Sequence, residues 1–443
     1  MMLLKRSMWV LCFVIISHTL QAQYSDSTKM FVAQKFLGSL AKQDFPNCLR
    51  QFNWTLAGTI NQYWLKVIWE SVQKQNGAYM GCYNAYTDVV GDEIIIYQEC
   101  RFEVLDKQLK LVFDKDDKIA AFYFVPARSK VIYEVPTYVD LAMMSEMDVA
   151  IKHKDISLAG MFTYPLSGTN FPLVILVSGE GPCDMDESKG SNKFLKDLAT
   201  GFAMNGIASV RFNKRTFQYA SMNDAPQNGF TLFEDIIEDA IEAFNKGKKL
   251  PNIDTNRIAF AGHGLGAYAL PAIVARTGVS GAIMIEAPAQ PYEDVFFNTE
   301  RYIHSLNGVS PIEEQDMSTL KEKVDSAKNV SSTSELAPYE LPMDMPMSYW
   351  IYMNNYKPLE VARKLQTKWF FIHSGRNFQI SERDIQLWKQ TLGNKGNASF
   401  KFYDKLNYYL HWNDKPSTPD EYMQKKQVSK VAIDEMSRFV FDL

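Results

Sequence analysis

The stretch Arg257–Ala267, RIAFAGHGLGA, decides the reading of this chain. An apolar run, Ile258 to Ala261, enters three glycines at alternate positions, Gly262, Gly264 and Gly266, and a helix-forming segment follows. Such a run reads as a strand turning sharply into a helix. The outer glycines fit a turn with no room for side chains. The layout is that of the nucleophile elbow, G-x-S-x-G, in which the central residue holds a strained backbone and presents a hydroxyl at the helix N-terminus. Here the central residue is Gly264, which has no hydroxyl.

Outward from the elbow, short apolar strands alternate with amphipathic helices. The strand segments read FPLVILVSG, GIASVRF, RIAFAGHG, GAIMIEAP, KWFFIHSG and ASFKFYD. Helical segments are expected at Leu195 to Asn205 and Leu232 to Asn245. In the second, Phe233, Ile236, Ile237, Ala240, Ile241 and Phe244 repeat at helical spacing. Continuous apolar strands alternating with helices argue an α/β class with a mostly parallel sheet covered on both faces. An irregular stretch over about 288–362 interrupts the alternation and reads as a lid over the site. Residues 129–443 are assigned to this domain, with 129–140 as the linker into it.

Residues 24–128 read differently. Phe31, Phe36, Leu37 and Leu40 make a helical face, and two more helical stretches lead to Gly77, a residue suited to a helix end. Strands are expected at 79–86, 94–104, 108–113 and 118–125, which gives a smaller α+β domain. Reflection about Gly91 sets Cys82 opposite Cys100, either as a disulfide or as two free thiols.

The whole chain has 443 residues, 46% of them hydrophobic and 22% charged, with a formal net charge of −4. That excludes a mostly disordered or collagen-like chain, and the near-balanced charge argues against nucleic acid as a partner. Residues 1–22 carry Lys5 and Arg6, an apolar run from Met8 to Ile16 and a small residue at Ala22. This is the pattern of a secretory signal peptide, so an exported protein, periplasmic or secreted, is expected. The apolar run is too short for a stable membrane span, and no second candidate follows. Neither H-E-x-x-H nor clustered Cys/His spacing occurs, so no metal and no cofactor is expected.

Several motifs resemble those of one family in order. Ser178 to Glu187, SGEGPCDMDE, looks like its oxyanion loop, VRFNKRTF like a strand end, and LPMDMPMSYWIYMNNYKPLEVARKL like the segment before its seventh strand. GRNFQI looks like its acid turn and LNYYLHWNDKPSTPDEY like its histidine loop. Residues from about 140 onward thus resemble the α/β-hydrolase family, in the branch of serine aminopeptidases and dienelactone hydrolases. Residues 24–128 resemble the NTF2-like domains of the DUF3887 type, by pattern and without a diagnostic motif.

The resemblance assigns the nucleophile position to Gly264, the acid to Asn377 and the base to Tyr408. None can do the triad's chemistry: Gly264 has no oxygen, Asn377 no charge, and a tyrosine, with an ordinary pKa of about 10, stays protonated at neutral pH. His411, three residues past Tyr408, is the best substitute base, with Cys183 or Ser178 as a displaced nucleophile. The backbone N–H groups of Leu265 and of the Gly179–Glu180 loop are expected to leave an oxyanion pocket for a carbonyl or carboxylate, unless the Glu180 charge points inward. His263 and His373 read as structural. Asp184, Asp186 and Glu187 read as holding the oxyanion loop by hydrogen bonds. Met343, Met345, Met347, Tyr349, Trp350, Tyr352 and Met353 either line an apolar pocket or pack the core. Three functions follow: a ligand- or partner-binding pseudoenzyme, expected to take a small molecule or peptide; an active ester or peptide hydrolase with a displaced set; or a function residing in the smaller domain.

Overall fold

The computed structural model describes residues 28–90, 93–127, 133–219, 229–306 and 311–443. The expected export segment, residues 1–22, and the hairpin turn at Gly91 and Asp92 lie outside them. The chain divides into two compact units, Met1–Val131 and Ile132–Leu443.

In the first unit, helices at 28–41, Phe45–Leu49, Trp54–Thr59 and Gln62–Asn76 precede four strands. The strands β1 (Tyr79–Val90), β2 (Glu93–Phe102), β3 (Lys107–Phe113) and β4 (Ile119–Pro126) form an antiparallel meander in chain order. The helical face expected from the sequence is buried at Phe36, Leu37 and Leu40. It packs with Leu65, Trp69, Ile96, Leu109 and Leu111, while Phe31 is exposed. Gly77 closes the helix Gln62–Asn76 at φ +85°, where a Cβ would stand 2.7 Å from Glu103 Cβ. Cys82 lies opposite Cys100 in the register, and no disulfide joins the two.

The second unit is built on an eight-stranded sheet. Its strands are β5 (Met144–His153), β6 (Ile156–Pro165), β7 (Phe171–Val177), β10 (Ala208–Phe212), β11 (Ile253–His263), β12 (Gly281–Ile285), β13 (Lys368–Ser374) and β14 (Ala398–Tyr403). A two-stranded ribbon, β8 (Ser188–Lys189) with β9 (Asn192–Lys193), stands apart from it. The order is β14-β13-β12-β11-β7-β10-β6-β5. The six strands read from the sequence run parallel from β10 to β14. β5 and β6 add an antiparallel edge that the sequence reading did not contain. Every residue of β7 is buried, as an unbroken FPLVILV run requires when helices cover both faces.

Helices Phe194–Met204 and Lys430–Phe441 cover one face, and Glu238–Gly247 and Leu265–Thr277 pack in the core on the other. The segment expected to be irregular, 288–362, is largely helical, with Tyr292–Ser305, Pro311–Asn329, Met347–Asn355 and Pro358–Lys364. Its longest helix carries only a narrow stripe, Met317, Leu320, Val324 and Ala327, on an otherwise charged and polar surface, and only Val324 and Ala327 of its described residues are buried. The expected helix after Leu232 begins as a π-helical turn, Phe233–Ile237, a form that recurs at functional sites.

Candidate functional site

β11 ends at His263, the chain turns at Gly264 with φ +50° and ψ −116°, and the helix Leu265–Thr277 begins. Each elbow glycine answers a different demand. A Cβ on Gly262 would stand 2.7 Å from Ala267 N, and one on Gly266 2.5 Å from Ser178 O. At Gly264 the backbone itself disfavours a side chain, and the space above it is filled. A Cβ there would overlap Tyr408 Oη and stand 2.5 Å from Glu180 Oε1 and 2.8 Å from Glu180 Oε2.

Glu180 therefore points inward, and the expected oxyanion pocket is corrected. Leu265 N–H, at the helix N-terminus, donates to Glu180 Oε1 at 2.9 Å, and Tyr408 Oη donates to Glu180 Oε2 at 2.7 Å. Tyr292 also stands near this carboxylate, whose charge adds to burial in pushing its phenol well above the ordinary range. The place where relatives of the motif would receive a carbonyl oxygen holds the chain's own anion, which the helix dipole favours. Burial, with the Glu180 charge adding to it, pushes the Tyr408 phenol well above its ordinary range, so it stays a donor and cannot serve as a base.

Asn377 stands elsewhere. Its Oδ1 accepts from the N–H groups of Gln379 (2.8 Å) and Ile380 (3.0 Å), and its Nδ2 donates to Glu286 Oε2 at 2.6 Å. Glu286, fully buried just past β12, also pairs with His373 Nδ1 at 3.0 Å. An amide suits this position because a second carboxylate would face the first. The structure thus brings Gly264, Leu265, Glu180 and Tyr408 together, and leaves Asn377 on a separate hydrogen-bond network.

The substitute residues are not assembled either. His411 is buried, and neither ring nitrogen has a hydrogen-bond partner among the described residues. Burial pushes its imidazole down to about 3. The Cys183 thiol donates to Glu180 O at 3.1 Å, and burial pushes it up to about 12, far from a reactive thiolate. Ser178 is buried, with its carbonyl against Gly266. None of His411, Cys183 and Ser178 lines the cavity described below.

Conserving the loop falls to the groups expected to do so. Asp184 accepts from Ser188 N–H and Oγ, and Asp186 binds Arg211 at 2.7 Å and Lys193 at 2.6 Å. Glu187 Oε1 meets His263 Nδ1 at 2.7 Å, and His263 Nε2 meets Tyr408 O at 3.0 Å. Burial alone would lower the His263 imidazole, but the Glu187 charge and hydrogen bond outweigh it and hold it above its ordinary value.

Above the elbow lies a cavity of about 620 Å³. Leu265, Glu180, Tyr408 and Tyr409 form its floor beside the elbow, and Met343, Met345 and Tyr349 of the insertion line it. Met347, Trp350, Tyr352 and Met353 do not line it; Trp350 and Met353 belong to the core. The sequence reading missed Phe230, Asp235 and Tyr292. No spacing marks them, although the buried pair Lys214–Asp235, at 3.1 Å, follows from the strand-end motif at Lys214. A cavity is present, while among the described residues no nucleophile hydrogen-bonded to a base stands at the elbow.

No family model matches the chain. It is 31% identical over 416 residues to Esterase EstD of Thermotoga maritima, covering 91% of this chain and 93% of that protein. The chain belongs to the α/β-hydrolase family. Among solved structures, this hydrolase-family chain is similar to Est1E from Butyrivibrio proteoclasticus (13% identity, 67% of this chain and 99% of that one, TM-score 0.43). It is also similar to Pyrococcus horikoshii acylaminoacyl peptidase (14% identity, 82% and 49%, TM-score 0.42).

Proposed function

We propose that this member of the α/β-hydrolase family is a pseudoenzyme that binds a small molecule or peptide without hydrolysing it. One observation carries the reading: Tyr408 Oη and the Glu180 carboxylate fill the volume that a nucleophile on residue 264 would need. A triad works through an alcohol, an imidazole and a carboxylate in hydrogen-bonded series. Here their positions hold a glycine, a phenol pushed away from basicity, and an amide committed to Glu286.

The rival reading is ester hydrolysis, favoured by the name of the Thermotoga maritima relative. It needs a nucleophile from outside the elbow, and the unassembled His411, Cys183 and Ser178 support it poorly. Turnover of p-nitrophenyl esters separates the two. The pseudoenzyme reading expects no rate above buffer, and activity in a variant combining Glu180→Ser, Gly264→Ser, Asn377→Asp and Tyr408→His. Turnover by the unaltered chain that disappears in His411→Ala would sink it.

Two further elements belong to this reading. Residues 1–22 support export, which N-terminal sequencing of the protein from the cell exterior or periplasm tests: a start at residue 23 is expected, and one at Met1 contradicts export. The first unit, helices followed by an antiparallel meander, is proposed as an NTF2-like accessory domain.

A further inference from the structure

The cavity above the elbow has a charge preference that the hydrolase ancestry does not supply. Glu180, Glu187, Asp235, Glu300 and Asp344 line it, against a single lysine, Lys189. Some of this charge is answered from behind: Lys214 stands at Asp235, His263 at Glu187 and Lys323 at Asp344. Glu180 accepts from two neutral donors, the Leu265 N–H and the Tyr408 hydroxyl, and forms no ion pair among the described residues, the cations Lys214 and His263 acting on it only from farther away.

A second, independent feature points the same way. Glu187 is 3% exposed, and its Oε2 has no hydrogen-bond partner among the described residues. A buried carboxylate oxygen left unpaired is costly, so it is a standing acceptor for a donor that the chain does not provide. The same cavity is lined by the rings of Phe230, Tyr292, Tyr349 and Tyr408, a ring type whose faces attract cations, and by the adaptable Met343 and Met345.

Resting on the non-hydrolytic reading of this site, we infer that its ligand is an organic ammonium ion, a protonated amine on an apolar or aromatic frame. The ammonium N–H groups would be received by Glu180 and Glu187, and the frame by the tyrosines and methionines. A carboxylate or phosphate ligand would meet the Leu265 N–H already taken and a fixed negative charge beside it. Glu180 thus turns a loop that resembles an oxyanion site into one suited to a cation.

Calorimetric titration of the full chain with phenethylammonium, 2-phenylethanol and 3-phenylpropionate tests this, because the three probes share a frame and differ in charge. Saturable binding of the ammonium, at least about tenfold tighter than the alcohol and weakened by salt, is expected, with no binding of the carboxylate. Glu180→Gln should weaken the ammonium about tenfold and leave the alcohol unchanged. If that variant does not fold, Glu300→Gln replaces it, with a smaller loss of the same sign. Equal affinity for alcohol and ammonium, tighter binding of the carboxylate, or ammonium displacement by millimolar Ca²⁺ or Mg²⁺ overturns the inference. Ester turnover measured on the same sample reads the underlying function separately. Turnover with intact ammonium preference sinks only the non-hydrolytic reading, and absence of both turnover and ammonium binding sinks only the cation.

Discussion

Replacing Gly264 by alanine adds one methyl group where nothing can receive it. The backbone at 264 stands at φ +50° and ψ −116°, a region L-residues disfavour, and holding a Cβ there costs on the order of 1–3 kcal/mol. The methyl would also overlap Tyr408 Oη and stand 2.5 Å from Glu180 Oε1, an overpacking that typically costs about 1–3 kcal/mol. Pushing the phenol aside breaks its 2.7 Å hydrogen bond to the half-buried Glu180 carboxylate, a further loss of about 1–3 kcal/mol. These contributions overlap, so a total of roughly 3–6 kcal/mol is expected, a fall of about 5–9 °C in midpoint for a domain of this size. Differential scanning calorimetry is the assay, and only the transition of the unit containing residue 264 should move. In a Tyr408→Phe background the hydroxyl is gone, and the cost of Gly264→Ala should shrink by about 1–3 kcal/mol, the coupling between the two positions. A Gly264→Ala protein within about 0.5 kcal/mol of the parent refutes the reasoning, because the space above the elbow would then be open.

Other consequences follow from buried groups. Asn377→Asp sets a carboxylate against Glu286, in place of an amide donating at 2.6 Å; a loss of about 1–3 kcal/mol at pH 7 is expected, recovered in urea titrations as falling pH lets the facing pair share a proton. The His263 imidazole, raised by Glu187, contributes stability that is complete below its unfolded value of about 6.5 and is lost as pH rises through its folded value. The stability gap between the parent and Glu187→Gln should therefore narrow from pH 6 to pH 9, and a gap that widens contradicts the pairing. His411, pushed down to about 3, acts with the opposite sign: the unfolded chain takes its proton first, so stability falls as pH drops from about 6.5. His411→Leu should flatten that acid limb and match or exceed the parent at pH 7, since two unpartnered ring nitrogens leave the core. A large destabilisation at pH 7 tells against it.

The parts of the fold legible in the sequence are those whose pattern has one physical cause. Unbroken apolar runs such as FPLVILV mark strands buried on both faces, and the elbow glycines mark close approaches that the structure shows at Ala267 N and Ser178 O. β5 and β6 were missed because an antiparallel edge buries only part of each strand; Met144–His153 has an irregular burial pattern and no apolar run. The insertion was read as irregular because its helix Pro311–Asn329 is largely solvated. In the site, the identities of Gly264, Asn377 and Tyr408 were readable, but their contacts were not. That Glu180 turns inward depends on the Tyr408 hydroxyl, 228 residues away, meeting it at the helix N-terminus. The turn of Asn377 likewise took its meaning from Glu286, a residue in a different strand end with no motif of its own.

Because the ligand chemistry is separate from the question of hydrolysis, the decisive measurement is one that reads a nucleophile without assuming a substrate. Incubation of the purified full chain with a fluorophosphonate, followed by intact mass and peptide mapping, does so: an activated serine or cysteine of a hydrolase captures the reagent covalently. With glycine at position 264, a thiol pushed up to about 12 at Cys183 and His411 outside the cavity, no adduct above that of the heat-denatured chain is expected. A stoichiometric adduct on Ser178 or Cys183 that is abolished by His411→Ala contradicts the claim that this α/β-hydrolase-family protein has no working nucleophile.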